Sequence, residues 1–137
     1  MKHMSLNIRC CGLLLGLAMT SYAMGGDIVV VMGPSAAPLT KDQVVSLYLG
    51  RNTDLKPVDL PESSPVRQDF YKKATDRDAA QVKAVWARLT FTGGGQPPLM
   101  LPDATAVKKA VATDPKAVGY IDKADVDASV KVVFTLN

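Results

Sequence analysis

Residues 27–50, DIVVVMGPSAAPLTKDQVVSLYLG, decide the fold class of this chain. The continuous β-branched run at residues 28–31 is typical of a strand that is buried on both faces of a sheet. Thr40 and Gln43 have the spacing of a capping box, which predicts that a helix begins there, and Gly50 predicts where it ends. A buried strand, a loop and a capped helix form the first half of an α/β unit.

The alternation of strands and helices continues towards the C-terminus. Each further helix has a side chain suited to cap its first turn, namely Ser64, Asp78 and Asp103. Short extended or apolar runs predict strands at residues 57–61, 118–121 and 130–136. This order predicts one α/β domain, with a mixed, mostly parallel sheet that is flanked by helices. It is compatible with one antiparallel strand in that sheet.

Residues 1–23 have the features of a secretory signal peptide. Lys2 and Arg9 precede an apolar run at residues 13–19, and Ser21 and Ala23 are small residues of the kind that a signal peptidase reads. The apolar run is too short to span a membrane. We therefore expect cleavage after Ala23, export to the periplasm without membrane insertion, and a single mature domain of residues 24–137.

Cleavage after Ala23 would leave few reactive side chains. Both cysteines and the one histidine precede that point, so the mature domain offers no thiol, imidazole or disulfide. Lys2 and Arg9 account for two of the 16 basic residues, which leaves 14 to balance 13 acidic ones. This nearly neutral charge argues against a nucleic-acid partner, and the residue types predict neither a metal site nor a cofactor.

Three features allow both a functional and a structural interpretation. Trp86 lies on the apolar face of its helix, where core packing is the commoner role and ligand stacking is the alternative. Residues 92–98, TGGGQPP, predict a loop whose glycines allow close approach to a ligand but which has no phosphate-loop pattern. The acidic residues at 122, 125 and 127 are not accompanied by the glycine and glutamate of a calcium loop, which favours a solvated turn.

Residues 62–70, ESSPVRQDF, are the best candidate for a binding site. Ser64 suits a helix N-cap and the proline after it suits the first helical position, so free N–H groups, two hydroxyls and Arg67 are expected at one helix end. Such an end attracts anions. The alternative is an ordinary capped surface helix, in which Arg67 points to solvent or pairs with Asp69 or Glu62.

The order of these segments resembles that in the periplasmic phosphate-binding proteins of ABC transporters. The resemblance covers nearly all of the chain after residue 23 and corresponds to one of the two lobes that close on the anion in that family. It implies a single three-layer lobe of the type II periplasmic binding-protein fold, with half of the usual cleft absent. The segments that carry it are the Pro–Ser pair at 34–35, the Leu–Thr pair at 39–40, LGR at 49–51, SPVRQDF at 64–70, Trp86, FTG at 91–93 and AVGYI at 117–121.

The resemblance also implies an oxyanion site formed by Ser63, Ser64, Arg67 and Ser35. In the family, the turn at the helix start reads Ser–Gly–Thr, often followed by Arg, and its backbone N–H groups and hydroxyls contact phosphate. Here Pro65 removes one N–H group and Val66 removes one hydroxyl. Each hydrogen bond to a charged ligand contributes roughly 1.5–3 kcal/mol, so the two changes together weaken binding by about two to four decades.

Two non-enzymatic functions are compatible with these features. The first is an exported domain that binds phosphate or a similar oxyanion weakly, or does so when a protein partner or a second copy supplies the absent lobe. The second is a ligand-free module that docks on another exported or membrane protein. An enzyme is not expected, because no nucleophile and base have a catalytic arrangement.

Overall fold

The computed structural model describes residues 26–137, so the predicted signal peptide and its cleavage point lie outside the described residues. Among residues 26–137, no helix combines the length and the apolar character that a membrane span needs. A short 3-10 helix, Lys123–Asp125, accompanies the main elements. These are β1 (Ile28–Met32), α1 (Lys41–Tyr48), β2 (Lys56–Asp59), α2 (Pro65–Thr75), α3 (Ala79–Phe91), β3 (Leu99–Met100), α4 (Ala104–Thr113), β4 (Ala117–Asp122) and β5 (Lys131–Leu136).

The five strands form one sheet in the order β3-β2-β4-β1-β5. β2 pairs in parallel with β3 and β4, whereas β1 pairs antiparallel with both of its neighbours, β4 and β5. Four strands therefore run in one direction and β1 runs in the other. The prediction of a mixed, mostly parallel sheet with one antiparallel strand is confirmed. β1 has a partner on each side and is buried along its whole length, as its sequence predicted.

Helices cover both faces of this sheet. Two successive residues of β4 show this, since successive side chains of a strand point to opposite faces. On β4, a side chain at Gly119 would collide with Cγ1 of Val107 in α4. The next residue, Tyr120, instead stacks on Phe70 of α2, with ring centroids 3.9 Å apart. Tyr48 of α1 packs against the same phenylalanine. α4 thus covers one face and α1 and α2 the other, which gives the expected three layers.

The helix boundaries follow local sequence signals. The capping box predicted for α1 forms, and the predicted caps Ser64, Asp78 and Asp103 begin α2, α3 and α4, with Asp78 completing a capping box with Gln81. Gly50, two residues after α1, adopts a φ of 75°, a left-handed conformation that favours glycine. These predictions are confirmed. They could be made from the sequence because each cap depends on atoms only a few residues apart along the chain.

The region from α3 to β3 holds two confirmed predictions and one omission. Trp86 is buried, and its indole Nε1 donates to the Tyr48 carbonyl at 3.0 Å, so the core interpretation is confirmed. Residues 92–98 contain no strand or helix, as predicted. The two-residue strand β3, which pairs with β2, was not predicted because an apolar pair is too short to show a strand period.

Candidate functional site

Asp59, the last residue of β2, places a carboxylate in the protein interior, where its residue is only 2% exposed. Its Oδ2 accepts a hydrogen bond from the Tyr71 hydroxyl at 2.6 Å. Its Oδ1 accepts from the Tyr120 hydroxyl and from the Leu60 backbone N–H, the latter at 2.9 Å. A buried carboxylate is costly unless donors surround it, and these three donors stabilise it.

The tyrosines around Asp59 are neutral donors. Burial, followed by the charge of Asp59, raises the pKa of Tyr71 and of Tyr120 far above the ordinary value. Burial also raises the pKa of Tyr48, whose hydroxyl donates to the Val58 carbonyl at 2.8 Å. All three hydroxyls therefore keep their protons at neutral pH. This arrangement suits the holding of a carboxylate in place, and it supplies no tyrosinate nucleophile.

Arg67 lies in the first turn of α2 and is 8% exposed. Its Nε atom is 3.3 Å from Oδ1 of Asp59, and its guanidinium carbon lies 5.4 Å from the centre of the Tyr71 ring. Nε and Nη1 are buried, and neither has a hydrogen-bond partner among residues 26–137. Because a guanidinium carries five donors, Arg67 is ion-paired and yet short of acceptors.

This placement corrects the alternative interpretation of Arg67, in which it belongs to an ordinary surface helix. The side chain does not point to solvent, and its ion-pair partner is Asp59 rather than Asp69 or Glu62. A turn in which the Ser64 N–H donates to the Pro61 carbonyl at 2.9 Å connects β2 to α2. This turn brings the start of the helix back to the end of the strand, so the two side chains meet.

Arg67 lines an open groove of about 690 Å³. Asp59 and Glu62 add polar groups to the lining, but most of it is apolar and comes from α3, residues 96–98 and β3. Three of its large apolar residues are well exposed, namely Phe91 at 92%, Leu99 at 67% and Met100 at 54%. The groove has the size of a small-molecule site, with a cation and an apolar wall in one space.

The structure does not bring all of the predicted site residues together. Ser63 and Ser64 line a separate depression of about 330 Å³, and Ser64 Oγ accepts the Arg67 backbone N–H at 3.3 Å, so it acts as the cap of α2. Ser35 is exposed in the turn after β1. Carboxylates in the lining of the depression would repel an anion. They belong to Asp103, Asp122 and Asp125.

The acidic turn after β4 forms around Asp122, whose carboxylate accepts the Ala124 N–H at 2.9 Å. Within the part of the chain that the structure describes, no three side chains of His, Cys, Asp or Glu are grouped so as to hold a metal ion. Asp127 accepts the Ser129 backbone N–H and also forms an ion pair with Lys108 of α4, whose Nζ is 2.9 Å from its Oδ2.

Sequence reasoning missed Asp59 and its tyrosine donors as part of the site. The available signal was a lone aspartate between Val58 and Leu60, in a short run that otherwise reads as a buried strand. A charged residue in such a position is seldom buried without partners. The partners themselves, Tyr71 and Tyr120, lie 12 and 61 residues away along the chain, which no local pattern shows.

Comparison with solved structures identifies the architecture. An ABC-type phosphate transport receptor from Vibrio cholerae matches with a TM-score of 0.61 and 20% identity, over 79% of this chain and 46% of that chain. A phosphate ABC transporter substrate-binding protein with bound phosphate, from Clostridium perfringens, matches with the same TM-score and identity, over 79% and 45%. This chain has the fold of one lobe of such a protein. PstS from Borrelia burgdorferi matches at 0.57 with 9% identity, over 79% and 47%.

The resemblance expected from the order of segments is therefore confirmed for the fold. The chain spans about half the length of these solved proteins. No protein-family model matches the chain, and no curated protein matches it.

Proposed function

We propose that this chain is an exported, non-catalytic, single-lobe binding domain that holds a small oxyanion, phosphate or a similar anion, at Arg67. The observation that carries the proposal is the state of the Arg67 guanidinium, which lines an open groove while Nε and Nη1 have no hydrogen-bond partner among the described residues. An oxyanion in the groove would supply an acceptor and a negative charge to the part of the guanidinium that lines it. The fold likeness to phosphate-transport proteins supports the same class of ligand.

In this proposal, Arg67 provides the main anion contact, and Ser63, Ser64 and Ser35 contribute little. Ser64 already accepts a backbone N–H as the helix cap, and the depression that it shares with Ser63 is acidic. Ser35 is exposed after β1. The serines are therefore worse placed than Arg67 to hold a negative charge.

Binding by the lone lobe is expected to be weak. Asp59 already neutralises much of the charge on Arg67, and an open groove leaves a bound anion in contact with water, which screens the attraction. We expect dissociation constants on the order of 1 mM, equivalent to about −4 kcal/mol. A protein partner or a second copy that covered the groove would exclude water and strengthen the contact.

A thermal-shift titration of the purified protein with phosphate, and then with sulfate, tests this proposal. A ligand that binds only the folded state must raise the melting temperature in a saturable manner. We expect the rise to vanish in Arg67→Gln and to persist in Arg88→Gln, a control at an exposed arginine of α3. Arg67→Lys is a second variant, which keeps the positive charge and can be measured if Arg67→Gln does not fold.

Two results would refute the binding of phosphate or sulfate at Arg67. One is an unchanged melting temperature in phosphate and sulfate at tens of times the expected dissociation constant, about 50 mM. The other is a rise of equal size in the wild-type protein and in a folded Arg67→Gln variant.

A second candidate function is that of a module that docks on another exported or membrane protein. It is favoured by the three exposed apolar residues along the groove, Phe91, Leu99 and Met100, because a cluster of exposed apolar side chains is a common feature of interaction sites. Under this function, phosphate and sulfate leave the melting temperature unchanged, whereas Phe91→Ser abolishes co-purification of an envelope protein with this chain. Val132→Ser, at an exposed apolar residue of β5, is the matched control.

A further inference from the structure

We infer that the groove beside Arg67 is built for an anion that carries an apolar body, a small aromatic or aliphatic carboxylate, in preference to phosphate. This inference rests on the proposed anion contact at Arg67 and specifies the class of ligand. It follows from two properties of the groove, the limited number of charged donors at its polar side and the apolar character of the remainder.

The polar side of the groove offers little to a dianion. Asp59 contacts the buried guanidinium of Arg67. Glu62 adds a second negative charge to the lining, and Lys83 adds a second positive charge. Phosphate keeps a tight hydration shell and needs many donors to replace it, while repulsion from the two carboxylates grows with its charge. A carboxylate monoanion requires fewer donors and meets less repulsion from these two carboxylates.

The remainder of the groove lining is an apolar wall that favours hydrocarbon. Trp86 of α3 lies in this wall, and the exposed side chains of Phe91, Leu99 and Met100 extend it. Apolar surface that leaves water on contact with a ligand contributes favourable free energy in proportion to its area. The flexible thioether of methionine adapts to ligands of different shape. An inorganic anion would use none of this surface.

The loop between α3 and β3 strengthens the same preference. Pro97 and Pro98 line the groove, and proline has no backbone N–H, so their backbone gives a hydrated anion no donor. Their rings add apolar area instead. Trp86 lines the groove and is the chain's only tryptophan, so its fluorescence and its indole N–H signal contain no contribution from another tryptophan.

The test titrates the purified protein with 3-phenylpropionate, acetate, phosphate and 3-phenyl-1-propanol, followed by Trp86 fluorescence and by the indole N–H resonance. We expect 3-phenylpropionate to bind about tenfold more tightly than either acetate or the alcohol, since each of those lacks one of the two contacts. Phe91→Ser is expected to weaken its binding by about threefold to tenfold. Val132→Ser, at the opposite edge of the sheet, is expected to leave binding unchanged.

The outcomes separate this inference from the proposed function. If phosphate or acetate binds as tightly as 3-phenylpropionate, and binding depends on Arg67, the anion contact stands and the preference for an apolar body is refuted. If the alcohol binds as tightly as the carboxylate, the groove is merely apolar, and the inference is likewise refuted. If none of the three anions binds, the proposed function itself fails.

Discussion

The cluster around Asp59 and the groove next to it share Asp59 and Arg67. They differ in how many of their polar atoms have hydrogen-bond partners and in how deeply their aromatic rings are buried. In the cluster, the Asp59 carboxylate accepts three hydrogen bonds, and Phe70 and Tyr71 are almost completely buried. In the groove, the Arg67 guanidinium is short of acceptors and Phe91 is almost completely exposed. The comparison teaches that the carboxylate side of the Asp59–Arg67 pair is fully hydrogen-bonded, while the guanidinium side has two nitrogens without a hydrogen-bond partner among residues 26–137.

The largest expected effect comes from removing the carboxylate that the two regions share. Asp59→Ala would leave the Arg67 charge buried without its partner and two tyrosine hydroxyls without their acceptor, so we expect a loss of about 3–5 kcal/mol in the free energy of unfolding. Urea unfolding measures it. Asp54→Ala, at an exposed loop aspartate, is the control and should cost less than about 0.5 kcal/mol. Equal losses in the two variants would contradict the role of Asp59.

Alkaline pH is expected to destabilise the cluster selectively. Tyrosines of the unfolded chain ionise near pH 10, whereas burial keeps the pKa of Tyr48, Tyr71 and Tyr120 higher in the folded state. Above about pH 10 the unfolded state therefore binds fewer protons, and the free energy of unfolding falls by up to about 1.4 kcal/mol per pH unit for each tyrosine. This stability is fully present below about pH 10 and is lost as pH rises.

Urea unfolding between pH 8 and pH 11 measures this slope. Tyr71→Phe should have a shallower slope, because it removes one of the three buried tyrosine hydroxyls. It leaves every lysine in place, so any contribution of the lysines to the slope is unchanged. An identical slope in the wild-type protein and in Tyr71→Phe would show that the decline has another source.

A smaller effect tests the serine pair at the start of α2. Ser64→Ala removes the side-chain acceptor of the Arg67 N–H, and we expect it to lower the free energy of unfolding by about 1 kcal/mol. Ser63→Ala, at its exposed neighbour, should change that free energy by less than about 0.5 kcal/mol. Thermal or urea unfolding of the two variants provides the measurement, and a larger loss in Ser63→Ala would contradict the assignment of Ser64 as the cap.

The smallest expected effect sharpens the contrast between the two regions. Phe91→Ser removes a ring that is 92% exposed, so the free energy of unfolding should change by less than about 0.5 kcal/mol. Phe70→Ala, at the fully buried phenylalanine of α2, should instead cost about 3–5 kcal/mol. Urea unfolding of both variants checks the pair. A substantial loss in Phe91→Ser would mean that the ring contributes to the core and not to a ligand surface.

The candidate site was only partly visible in the sequence. Arg67 and the Ser64 cap stood out because a helix start has a local signature, in which the capping atoms lie three residues apart. The groove gave no such signal, since its lining comes from β2, α2, α3 and the loop that leads into β3. Its exposed apolar residues, Leu99 and Met100, were too few in a row to predict even the strand that they form.

By itself, the sequence determined the helix starts, the buried β1 strand and the α/β order, because side-chain capping, strand alternation and helical periodicity act over a few neighbouring residues. Only the tertiary structure decided which carboxylate would pair with Arg67 and which groups would donate hydrogen bonds to Asp59. Tyr71 and Tyr120 reach that carboxylate from α2 and from β4, and the turn after β2 brings Arg67 to it. These contacts depend on how the helices pack on the sheet, and packing is a property of the whole chain rather than of any one segment.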